Sequence, residues 1–131
     1  MIQLIFALPL LIHGVAHIGG FRASWTSHDS GFKDRPWLFS KDGTLQSPIG
    51  RVFGVLWLVA AAAFLVAGLG LLFSQPWWPT VAVPAAILSL VVILPWWNAV
   101  PLGSKIGAAF DVLVLVVLLT PLKDGLLAMV A

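Results

Sequence analysis

Four apolar runs of membrane-spanning length constrain this chain more than any motif does. They cover about residues 2–20, 51–73, 79–97 and 103–122. Each is close to the ~20 residues that a helix needs to cross a bilayer core. A soluble helical protein of this size would place polar residues along one face of each run, and these runs have almost none. Only 9% of the residues are charged, against roughly 25% in a soluble domain. The expected fold is therefore all-α, a four-helix transmembrane bundle forming one integral membrane domain over residues 1–131. The lipid bilayer takes the place of water as its main partner.

The first run lacks a basic segment before it and an Ala-x-Ala site after it, so it reads as a retained helix rather than a signal peptide. Pro9 lies inside it, and Gly19-Gly20 suits a left-handed cap at its end. The second helix has a clear start, with Ser47 as N-cap and Pro48 in the first turn. Thr120-Pro121 is expected to kink or end the fourth.

Residues 21–50 form the one long connection. Trp25, Phe32, Trp37, Leu38 and Phe39 are interleaved with Arg22, Lys33, Arg35 and Lys41, a composition that suits the headgroup layer. This interfacial loop is expected to cover part of one end of the bundle. The side it occupies holds Arg22, Lys33, Arg35, Lys41, Arg51 and Lys105; the other side holds Lys123. That bias predicts a long cytoplasmic loop between helices 1 and 2, both termini outside, and a multi-pass protein of the cell membrane. The same bias accounts for the net charge of +2, so nucleic acid is not an expected partner.

Cysteine, glutamate and tyrosine are absent, which excludes disulfides and thiol chemistry. The candidate chemistry rests on His13-Gly14-Val15-Ala16-His17, two imidazoles one helical turn apart on one face. Asp111 should lie at a similar depth in the fourth helix, with Ser104 and Gly107 on its face. An ionised Asp in the membrane costs about 2.5–3.5 kcal/mol on insertion scales, so it must be neutral, paired or facing a cavity. His13 or His17 is the pairing this sequence offers. Gly50-x-x-x-Gly54 and Gly103-x-x-x-Gly107 would let helix backbones approach at the same end.

These residues support several readings. His13, His17, Asp111, Asn98, Trp96 and Trp37 would line a polar pocket for a lipophilic small molecule at the loop side. His13, His17 and Asp111 also have the composition of a two-His, one-carboxylate site for a divalent metal, although the zinc-protease form has Glu where this chain has Gly14. The same groups could instead act only as interhelical glue. Ser89 reads as bonding back to its own helix, and His28 as solvated.

The stretch Phe6-Ala-Leu-Pro-Leu-Leu-Ile-His-Gly-Val-Ala-His17, with Ile18-Gly19-Gly20-Phe21 after it, resembles the first helix of DoxX-like bacterial membrane proteins. His13 and Gly14 carry the match; the family tends to have Lys at the position of His17. The resemblance implies a four-span accessory subunit, of a kind sometimes linked to redox or detoxification systems. The resulting expectation is a small accessory or binding protein that acts as a homo-oligomer or with a membrane partner. The alternatives are a membrane enzyme using His13, His17 and Asp111, and a structural subunit.

Overall fold

A computed structural model describes residues 1–27, 31–33, 38 and 43–130, except the side chain of Pro101. The described chain is all helical. Helix α1 spans Ile2–Trp25, α2 Pro48–Leu72, α3 Trp78–Ile93, α4 Pro101–Leu119 and α5 Leu122–Val130. A 3-10 turn, Leu94–Trp96, extends α3. The segments Ile2–Trp25, Pro48–Leu72, Trp78–Trp96 and Leu102–Leu119 are long and apolar enough to cross a membrane. They make this an integral membrane protein.

Local chemistry sets most of the helix ends. The Ser47 side chain accepts the Gly50 N–H at 3.3 Å and donates to the Thr44 carbonyl at 2.6 Å, which starts α2. Pro95 falls in the 3-10 turn that finishes α3, because a proline cannot supply the helical N–H. At the end of α2 the Gln75 N–H reaches the Gly70 carbonyl at 2.7 Å, and Ser74 takes a left-handed φ of 52°. A side chain in that conformation is strained. Ser74→Gly is therefore expected to stabilise the protein by up to about 1 kcal/mol, read as a small rise in the thermal midpoint of detergent-solubilised protein.

The first helix departs from expectation. It does not stop at Gly19-Gly20 but continues to Trp25. Gly20 is not a cap: a Cβ there would overlap the Trp57 ring, so this glycine lets α2 pack directly on the α1 backbone. Gly14 plays the same part lower down, facing the Ala61 carbonyl and Phe64. Gly54 faces Ser24 and Trp25. Gly50 and Gly103, by contrast, face their own preceding turns at Leu45 and Val100, so neither GxxxG pair works as a unit.

The helices follow one another in space: α1 packs along α2, α2 on α3 and α3 on α4. Helices α1 and α4 face each other across a cleft instead of packing closely. The helix after Pro121 was not expected as a separate element. It folds back toward α1, where the Gln3 side-chain amide donates to the Val130 carbonyl at 3.3 Å.

The described parts of the long connection are tied to the bundle. Lys33 N–H donates to the Ala99 carbonyl at 2.8 Å, and the Gln46 side chain donates to the Thr26 carbonyl at 2.9 Å. Trp25 Nε1–H donates to the Arg51 carbonyl at 3.0 Å, while the Arg51 guanidinium lies 5.6 Å from the Trp25 ring centroid. Phe32 meets Trp57 edge to face at 6.2 Å between centroids.

Candidate functional site

Three helices each project polar groups into one buried cluster: His13 and His17 from α1, Ser89 from α3, and Asp111 from α4. Extending α1 to Trp25 changes their depth. His13 is 12 residues from that end and 11 from Ile2, or roughly 16–18 Å from either at 1.5 Å per residue. Ser89 and Asp111 are similarly central in α3 with its 3-10 turn and in α4. The cluster thus lies near mid-height of the helices. That is where charge in a bilayer is most expensive.

The hydrogen bonds form a chain. His17 Nδ1–H donates to the His13 carbonyl at 2.9 Å, since a carbonyl can only accept. His17 Nε2 lies 2.8 Å from Ser89 Oγ. Ser89 Oγ contacts Asp111 Oδ2, and Asp111 Oδ1 lies 2.9 Å from His13 Nε2. His13 Nε2 also lies 3.3 Å from Ser89 Oγ. Asp111 is fully buried and the His13 side chain is 10% exposed.

Donor counting limits where the protons can be. Ser89 has one hydroxyl proton and two main contacts, so it donates in one and accepts in the other. In one neutral arrangement Ser89 donates to His17 Nε2, and a protonated Asp111 donates to Ser89. In the other, a protonated His17 donates to Ser89, and Ser89 donates to an ionised Asp111. The two differ by proton shifts along existing hydrogen bonds. In both, His13 Nε2–H donates to Asp111 Oδ1. Reversing that last bond leaves a net positive charge in a largely buried cluster, which burial opposes. The uncharged arrangement, with no separated charges at mid-membrane, is the favoured resting state.

One consequence concerns the other His13 nitrogen. With Nε2 donating, neutral His13 presents Nδ1 as an acceptor. Among the described residues, Nδ1 has no hydrogen-bond partner. It is not among the sealed, unpartnered atoms either, and His13 lines a cavity.

That cavity, about 370 Å³, occupies the loop-side half of the cleft between α1 and α4. His13, His17 and Ser104 supply its polar groups; Trp57, Trp96 and Phe110 form apolar wall. Phe32 from the long connection closes the loop-side end. Ile12, Ala16 and Ile106 lie at its exposed rim, on the outer surfaces of their helices. Aromatic rings hold His13: its centroid is 4.7 Å from that of Phe64 and 4.8 Å from that of Phe110, with His17 at 4.6 Å. Gly107 leaves room for the imidazole, since a Cβ there would come 3.3 Å from His13 Cε1.

The structure thus brings His13, His17 and Asp111 together, with His13, His17 and Trp96 in the cavity wall; Asp111, contrary to expectation, is sealed within the cluster and does not line the cavity. Asn98 is elsewhere, exposed on the turn 97–99, and does not line the cavity. Trp37 and His28 lie outside the described residues. Ser89 corrects the sequence-based expectation: it joins three side chains from two other helices instead of bonding back along its own. The divalent-metal expectation has no formed site among the described residues, where no group of three ligand side chains is arranged to hold an ion. The physical reason is that Nε2 of each histidine and both Asp111 oxygens are already bonded within the cluster.

Fold and site together define a multi-span membrane protein built around a buried His–Ser–Asp–His network. Residues 32–123, most of the chain, match the family described as a domain of unknown function, DUF7144, and the protein belongs to that family. The matched region contains Ser89 and Asp111, while His13 and His17 precede it. No curated protein and no solved structure matches the chain.

Proposed function

We propose that this protein is a small membrane binding or accessory protein whose cleft between α1 and α4 holds a lipophilic small molecule. The observation that carries this reading is the cavity itself: largely apolar, with imidazole and hydroxyl groups at defined positions in its wall. Ligand sites have that character, with a few placed polar groups fixing orientation in a greasy cleft of a few hundred Å³. The exposed rim at Ile12, Ala16 and Ile106 suits access from the bilayer. In this reading the charge bias places the long connection in the cytoplasm. The resemblance of the His13-Gly14 stretch to DoxX-like accessory subunits supports the same class of role, within an oligomer or beside a membrane partner.

A medium-chain alcohol brominated near its hydroxyl provides the test, because bromine quenches indole fluorescence on contact. In lipid nanodiscs, quenching should contain a saturable component from Trp57 and Trp96, over a linear background from tryptophans at the membrane interface. Ala16→Leu narrows the rim from an exposed position and should remove the saturable part while leaving the background. Quenching that rises linearly and identically in both proteins would refute the pocket.

A further inference from the structure

Resting on that reading of the cleft, we infer that its occupant is a single-chain lipophile whose head donates an O–H to His13 Nδ1 and whose chain runs past Phe110 into a second cavity. Two independent observations lead there. The first is the direction of the network. Both neutral proton arrangements fix His13 Nε2 as donor to Asp111 Oδ1, so the imidazole offers its other nitrogen only as an acceptor. Asp111 is fully buried and His17 Nε2 is occupied by Ser89, so His13 Nδ1 and the Ser104 hydroxyl are the polar groups left for a head, and of these only Nδ1 is confined to accepting. An acceptor in apolar surroundings selects a donor. An alcohol or phenol satisfies Nδ1, whereas an ether or ester oxygen sets lone pair against lone pair.

The second observation is a further cavity of about 560 Å³ in the other half of the molecule. Its lining, which includes Leu10, Trp78, Leu118, Leu126 and Met129, is almost wholly apolar. Pro9 and Phe110 belong to the walls of both cavities, so the two lie end to end along the α1–α4 cleft. Helix α5 contributes Leu126 and Met129 to the far cavity, which gives that terminal helix a role as the floor of the chain-binding half. His13 is on the polar side of this divide and Trp78 on the apolar side. A ligand that uses both halves has one donor head and one flexible hydrocarbon chain.

The experiment compares a long-chain alcohol with its own methyl ether, each carrying bromine at the far end of the chain. The alcohol should bind unmodified protein in nanodiscs roughly ten-fold more tightly than the ether, the scale of one well-formed hydrogen bond in a dry site. His13→Phe should erase that ratio. The terminal bromine should quench Trp78, so Trp78→Phe should remove most of the saturable signal. The alcohol–ether ratio is measured on the unmodified protein and does not depend on any variant folding. Equal, saturable binding of alcohol and ether overturns the donor head and leaves the pocket in place. Saturable quenching that survives Trp78→Phe overturns the path of the chain. No saturable binding by either compound removes the underlying pocket reading itself.

Discussion

Asp111→Ala is expected to destabilise the protein by about 2–4 kcal/mol, whereas Asp111→Asn stays within about 1 kcal/mol of the original. The alanine change removes the fully buried carboxyl that Ser89 Oγ and His13 Nε2 share, leaving Ser89 with His17 and His13 with only the longer 3.3 Å contact to Ser89. Interhelical hydrogen bonds in membrane proteins average only about 0.6 kcal/mol in double-mutant cycles, since partners are found in the unfolded state too. The larger figure applies here because one truncation takes a short hydrogen bond from each of two groups on two different helices and leaves a buried void between them.

Asparagine behaves differently because its amide reproduces the uncharged arrangement. The carbonyl oxygen accepts from His13 Nε2–H, and the NH₂ donates to Ser89, as a protonated Asp111 would. If the resting state were instead the ion pair of His17 with Asp111, asparagine would remove the anion and force His17 to give up its proton, losing the whole of that pairing and costing well above about 1 kcal/mol. Reversible unfolding of the three proteins in one detergent, read by near-UV dichroism, separates these outcomes. Similar large losses for both variants would contradict the uncharged assignment.

Gly20→Ala has the second largest expected effect, a loss of about 2–3 kcal/mol from overpacking. The added Cβ falls on the Trp57 ring at Cδ2, Cε3 and Cγ. That ring is rigid and buried, so the helices must separate or the indole must turn. Trp57→Leu costs stability by itself, yet the double variant should lose less than the two single changes added. A coupling above about 1 kcal/mol is expected for groups in direct contact. Additive losses would show that Gly20 and Trp57 do not share the space. Trp57 also lines the cavity proposed to hold the ligand, so Gly20→Ala should weaken saturable quenching by the brominated alcohol as well.

These two positions mark the boundary between what local sequence chemistry dictates and what only tertiary packing decides. The spans were readable because apolar runs of sufficient length allow few alternatives in lipid. Ser47-Pro48 and Thr120-Pro121 marked real boundaries because capping and proline chemistry act locally. Gly19-Gly20 misled because glycine serves both helix caps and close helix contacts; only the position of Trp57, 37 residues on from Gly20, decides between them. Helix α5 was hidden by Lys123, Asp124 and Gly125, which break the pattern of a span.

The candidate site was legible in the same limited way. His13, His17 and Asp111 announced themselves as ionisable groups in apolar helices. Ser89 did not, since a lone serine in an apolar helix has a carbonyl of its own helix within reach, and its partners here come from two other helices. Asn98 had the right polarity at the right end of the chain segment, but its own side chain is the exposed one of its turn, while Ala99 beside it is buried. Sequence spacing gives depth along a helix; it does not give rotation about the axis relative to distant neighbours.

Nitrogen NMR of imidazole-labelled protein in nanodiscs addresses the central claim most directly, that the buried network leaves His13 Nδ1 open as an acceptor in the cavity. His17 Nδ1 and His13 Nε2 should resonate as protonated nitrogens. His13 Nδ1 should resonate as an unprotonated one, and should move toward the hydrogen-bonded position as a long-chain alcohol is added, but not with its methyl ether. A protonated His13 Nδ1 in the ligand-free protein, or a signal that does not move at saturating alcohol, would contradict the account.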